Sequence, residues 1–174
     1  VAKAALSAGA QMFNDVSAFG FDPDSLPLAV AEQPFVCLMH AQGAPKTMQD
    51  NPEYQDVTLD VYDYLQERVQ ACVDAGLAKD RIVIDPGIGF GKTTDHNLQL
   101  LSDLSIFHGL GCPILLGVSR KRFIGVIGSA QEPAQRAPGS IAVALEGLRQ
   151  GVQITRVHDV WQTKQAFALW QAMQ

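Results

Sequence analysis

Residues 85–92 read Asp-Pro-Gly-Ile-Gly-Phe-Gly-Lys, a composition suited to holding a small molecule. Three glycines in five positions let backbone approach a ligand closely, and Asp85 sits at the end of an apolar run, aimed into the site. The stretch finishes like a nucleotide-binding P-loop, at Gly91-Lys92-Thr93. That loop needs a glycine five residues before Gly91, where this chain has Pro86, so nucleotide binding is set aside. A plainer reading makes Asp85 a cap for the next helix.

Two more clusters follow apolar runs. Gly117-Val118-Ser119-Arg120-Lys121 offers a hydroxyl and two cations, which suit a carboxylate, phosphate or carbonyl oxygen. Its alternative is a solvated basic start to a helix, although adjacent cations there oppose the helix dipole. Arg156 and His158 stand two apart on a strand and share a side, as a diphosphate clamp requires. The alternative leaves His158 bonded to Asp159. Asn14-Asp15 and Met39-His40 are weaker signals, since such residues also serve as turn and core. His96 and His108 fall in a predicted helix without metal-ligand spacing. Ser119 lacks the second glycine of a nucleophile elbow, which argues against a hydrolase.

These groups need elements that point them together. Apolar runs at 11–13, 34–39, 81–84, 113–117 and 152–157 are each followed by a polar or glycine-rich cluster and then by helical spacing. Val57, Val61, Leu65, Val69 and Cys72 form one stripe that Gly76 stops. Asp95 is the expected cap for a helix carrying Leu98, Leu101 and Leu104 on one face, ending by Gly109. Ser140 is expected to cap 141–150, and the last helix to turn Phe167, Trp170 and Met173 to one side. Strand-helix alternation implies a parallel α/β sheet, doubly wound or closed as a barrel. Polar clusters after all five strands favour the barrel, because an open sheet gathers its ligand groups at one switch point. Val1 to Ala8 reads as a helix with no strand before it. A (β/α)8 barrel needs roughly 250 residues, so the expectation is one domain over 1–174 that lacks about three leading units.

Composition narrows the classes further. The chain has 174 residues, 47% hydrophobic and 18% charged, which suits a single well-buried core. A net charge of -5 and one short basic cluster, residues 120–122, argue against nucleic acid as a partner. No apolar run reaches membrane-spanning length. Cys37, Cys72 and Cys112 are dispersed and odd in number, which suits a reducing cytoplasm.

Taken as a set, Asn14-Asp15-Val16, Leu38-Met39-His40, residues 85–92, Ser119-Arg120-Lys121 and Arg156-Val157-His158-Asp159-Val160 resemble the bacterial dihydropteroate synthases, from end to end of the chain and in order. Residues 42–49 add a further similar stretch. The resemblance implies a TIM (β/α)8 barrel, present as its C-terminal portion with about five strands. It implies condensation of 6-hydroxymethyl-7,8-dihydropterin diphosphate with 4-aminobenzoate, with Mg²⁺ as cofactor, a homodimer and sensitivity to sulfonamides. Asn14, Met39, Asp85 and Lys121 would then bind the pterin, Arg156 and His158 the diphosphate, and Ser119 and Phe90 the aminobenzoate. No metal ligand is expected in this stretch, because the family's metal-binding Asn lies in an earlier loop. The competing expectations are a pterin-dependent methyltransferase of a related barrel, and an inactive pterin-binding module.

Overall fold

The computed structural model describes residues 1–43, 48 and 50–174. Along them run α1 (Ala2–Ser7), β1 (Met12–Asp15), α2 (Ser25–Glu32), β2 (Phe35–Met39), α3 (Val57–Asp74) and β3 (Ile82–Asp85). Then come α4 (Thr94–Ser102), β4 (Leu115–Leu116), α5 (Arg122–Ile127), α6 (Ala137–Arg149), β5 (Ile154–Thr155) and α7 (Val160–Ala172). Every apolar run yields a strand, but the last two shrink to two residues each. The helix α2 was not anticipated; its Pro27 sits in the first turn, where a missing N–H costs nothing.

All pairings are parallel. The sheet β1-β2-β3 sets Asn14 beside Cys37 and Met39 beside Asp85. A bridge between Ile84 and Ile114 leads on to the β4-β5 pair. Parallel order brings every strand's C-terminal end, and the cluster after it, to the same rim.

Strand parity then sorts the side chains. Val36, Leu38, Ile82, Ile84, Ile114 and Leu116 face the helices and join the main core. Cys37, Val83 and Leu115, with Ile154 against them, form a second small apolar cluster on the opposite face. Two residues further along the same face come Met39, Asp85, Gly117 and Arg156. The site is thus a polar tier resting on an apolar plug.

The stripe on α3 is as expected: Val57, Val61, Leu65, Val69 and Cys72 are all buried, and Asp56 caps the helix by accepting from the Thr58 and Leu59 N–H groups. Fully burying such a side chain contributes roughly 1.5–3 kcal/mol. Three helix expectations need correction. Thr93, not Asp95, caps α4, and His96 completes a capping box with it. Leu98 points to solvent and Leu100 takes its place in the core. Ser140 lies inside α6 rather than at its start, donating its hydroxyl to Arg136 O. On α7 Phe167 and Trp170 are half-buried as one face, but Met173, just past the helix end, is exposed. All three cysteines are buried and unpaired. Among the described residues no helix is long and apolar enough to cross a membrane.

Candidate active site

Asp85 lies at the centre of the polar tier and is 2% exposed. Its Oδ1 accepts from the Gly87 N–H at 2.8 Å, and its Oδ2 is 3.9 Å from Arg156 Nη2. Burial pushes its pKa above the ordinary carboxylate value; the Gly87 N–H and the charges of Lys121, Arg156 and Lys92 pull it back. With Thr93 capping α4, Asp85 is no helix cap, and the plainer reading of that residue fails. Gly117 makes room for Arg156: a Cβ there would stand 2.9 Å from Arg156 Nη2.

Lys121 donates to Ile88 O and lies over the Phe90 ring, 4.6 Å from its centroid. Burial lowers its pKa to about 8, with Asp85 opposing and Arg156 adding to the fall. Phe90 and Lys121 line a cavity of about 640 Å³, together with Lys92, Asn97 and Phe123. A pocket of that size takes a small organic substrate.

Ser119 Oγ accepts from the His158 backbone N–H at 3.1 Å and lies 2.9 Å from His158 Nδ1. His158 is therefore not tied to Asp159. Asp159 instead pairs with Arg120, whose Nε and Nη2 donate at 3.0 and 2.6 Å. Arg120 adopts a left-handed φ of 60°, with its N–H on Ser140 Oγ and its carbonyl on Arg136 Nη1. Of the two cations in that cluster, Lys121 faces the site and Arg120 straps two loops together.

The structure brings Asp85, Lys121, Arg156 and Phe90 into one neighbourhood, with Met39 buried beside Asp85 in register. It joins Ser119 to His158, so the expected aminobenzoate and diphosphate residues interleave. Asn14 shares the inward parity but is exposed, and it lines a separate cavity of about 390 Å³ with Met12 and residues of α1. Of the similar stretch at 42–49, residues 44–47 and 49 lie outside the described residues.

Sequence reasoning missed the pairing of Lys92 with His40. Lys92 is 3% exposed, and its Nζ lies 2.8 Å from His40 Nδ1, although the two are 52 residues apart. No local pattern announces such a contact.

The described residues contain no group of three or more His, Cys, Asp or Glu side chains able to hold a metal ion. The charged groups that converge on Asp85 are cations, which repel a dication. These residues alone do not fit Mg²⁺.

Comparison with known proteins places this geometry. A dihydropteroate synthase of Neisseria meningitidis serogroup B is 44% identical over 174 residues, covering 98% of this chain and 61% of that protein. The structure of dihydropteroate synthase from Xanthomonas albilineans in complex with 7,8-dihydropteroate superposes with a TM-score of 0.91 at 43% identity, over 98% of this chain and 62% of that one. The Yersinia pestis dihydropteroate synthase with a sulfonamide drug gives a TM-score of 0.93 at 42% identity, over 97% and 61%. The chain thus spans about three fifths of the length of these relatives. The family model described as pterin binding enzyme matches residues 1–158, which include every site residue described above, and the chain belongs to that family.

Proposed function

We propose that this chain carries pterin- and diphosphate-binding residues of a dihydropteroate synthase, as the C-terminal part of a (β/α)8 barrel. In that reaction the amine of 4-aminobenzoate attacks the exocyclic methylene of 6-hydroxymethyl-7,8-dihydropterin diphosphate. A C–N bond forms, the C–O bond to diphosphate breaks with its electron pair, and the amine gives up a proton. The observation that carries the reading is the buried Asp85 carboxylate, on which the charges of Lys121, Arg156 and Lys92 converge. A pterin presents an amino group and a ring N–H side by side, and a carboxylate has acceptors for both besides the Gly87 N–H. Lys121 and Arg156 lie where negative charge would gather as diphosphate leaves. No enzyme nucleophile is required, in keeping with a Ser119 engaged by His158.

Mg²⁺ enters this reading only as a companion of the substrate's diphosphate, so the work assigned to these residues does not run through it. A homodimer and a cytoplasmic setting belong to the same proposal. The relatives' names favour the synthase over a pterin-dependent methyltransferase, whose chemistry would not need Arg156 and His158 as a clamp.

The test is release of diphosphate from the pterin diphosphate on adding 4-aminobenzoate, with inhibition by a sulfonamide that saturating 4-aminobenzoate relieves. Pterin binding without such release would leave the methyltransferase or an inactive binding module. Inhibition that 4-aminobenzoate cannot relieve would remove Ser119 and Phe90 from the second-substrate site.

A further inference from the structure

Beneath the glycine-rich loop lies a lysine that the proposed chemistry does not use. The Lys92 ammonium has three donors and no acceptor. Two go to loop carbonyls, Gly87 O at 3.0 Å and Phe90 O at 3.1 Å, and the third to His40 Nδ1 at 2.8 Å. A charged Lys92 pairs with the His40 tautomer whose Nδ1 is unprotonated. The surroundings of His40 agree: burial first, and the Lys92 charge second, push its pKa down to about 3. Burial also pulls Lys92 down to about 7, with the Asp85 charge opposing. The His40 ring is held edge-on to Tyr64, centroids 4.9 Å apart. Tyr54 Oη donates to the next carbonyl, Gly91 O, at 2.7 Å.

Ile88, fully buried in the main core, anchors the middle of this loop, and close backbone contacts hold its two sides. Gly87 and Gly91 press against the backbone of 40–42, and a Cβ on either would overlap the carbonyl oxygen of His40 or Gln42. The contact is backbone on backbone, with its carbonyls gathered by Lys92 and Tyr54. Ile88 O, between them, accepts from Lys121 Nζ from the other side, and the Phe90 ring meets the same ammonium. The two lysines grip different carbonyls of one loop.

We propose that Lys92 is a positioning residue: it holds loop 87–91 from beneath so that Ile88 O and the Phe90 ring fix Lys121 beside the first substrate. The identity of that substrate as a pterin diphosphate rests on the functional reading above. The coupling of Lys92 to Lys121 does not.

Competitive acetylation with acetic anhydride, read by mass spectrometry, compares Lys121 with the exposed Lys164 in the same molecule. In Lys92→Met the Lys121 to Lys164 ratio should rise on the order of tenfold, the effect of losing about one charge-assisted hydrogen bond. Lys92→Gln keeps part of the donor set and should fall between; it also replaces the Met variant if circular dichroism shows that one unfolded. An unchanged ratio in the folded variant overturns the proposal. Calorimetry supplies the second arm. Pterin affinity should fall about tenfold in Lys92→Met, with Lys92→Gln between that variant and the wild type. Faster acetylation with an unmoved pterin affinity also overturns it. A wild-type protein that binds neither substrate refutes the functional reading instead, and the acetylation ratio then decides the role of Lys92 by itself.

Discussion

The β3 corner and the β5 corner of the site are held in opposite ways. Around Asp85 every neighbour is fixed: the carboxylate is buried, the loop above it is pinned through three carbonyls, and its glycines touch backbone. Around Arg156 the side chain is 45% exposed, and its nearest carboxylate oxygen is 3.9 Å away. One corner offers short hydrogen bonds in a dry pocket, where each bond is strengthened. The other attracts by charge through water, where salt weakens it. The proposed substrate, a rigid, mostly neutral ring with a mobile, highly charged leaving group, would call for those two designs.

The strongest way to break the contrast is at Gly87, where φ is 70° and a Cβ would overlap His40 O. Gly87→Ala should cost about 4 kcal/mol or more in stability, the range reserved for buried backbone clashes. Gly9→Ala, at φ 99° with nothing within 4 Å, should lose only the backbone part, about 1–2 kcal/mol. Urea midpoints compare the two, and equal losses would mean that the loop can move aside.

Asp85→Asn comes next. It keeps the shape but turns one acceptor into a donor facing a ligand donor. The expected loss is near 3 kcal/mol, about a hundredfold in pterin affinity by calorimetry. Equal affinity for both folded proteins would take Asp85 out of the site.

His40 sharpens the comparison through pH. Its pKa is near 3 in the folded protein against 6.5 for an ordinary histidine. As pH falls below 6.5 the unfolded chain takes up a proton that the folded one refuses, so stability drains until the folded group protonates near 3. Each pH unit across that window costs up to about 1.4 kcal/mol. Denaturation between pH 7 and 4 should therefore fall less steeply for His40→Gln than for the wild type; parallel curves would place the acid sensitivity elsewhere.

The smallest effect is expected at the open corner. Arg156→Ala should weaken diphosphate binding by about tenfold at low salt, and the difference should shrink as salt is added. Binding of inorganic diphosphate at two ionic strengths measures it. A loss as large as that of Asp85→Asn, and indifferent to salt, would mean that the clamp is as dry as the floor.

Much of this frame is legible in residues that act through neighbours in sequence. The stripe from Val57 to Cys72 gives α3, and the turn-rich ends of the five apolar runs give the strand ends. Asp85, Lys121 and Arg156 stand out because each follows an apolar run that lifts it to the rim. Legibility fails where a contact crosses the chain. Nothing local says that Arg120 would turn to Asp159 rather than to a ligand, or that Lys92 would go under the loop to His40. Helix starts fail for a different reason: Thr93 and Asp95 are both good caps, and the His96 ring, which completes the box with Thr93, decides between them. The exposed Val160, Trp161 and Leu169 of α7 show the last kind of failure, since an apolar residue in sequence does not say what will cover it.

The two-residue step from plug to rim makes each strand behave like a reading frame. Val83 and Asp85 report to the interior, while Ile82 and Ile84 report to the helices, and one inserted residue exchanges the two sets. Such an insertion in β3 would send the carboxylate into the main core and an isoleucine to the ligand, abolishing recognition and packing at one stroke. Two inserted residues restore the phase and raise the carboxylate by roughly 6.6 Å, about two residues' rise along a strand. Evolution can therefore lengthen the loops at this rim one residue at a time, but it can edit the strands only in pairs.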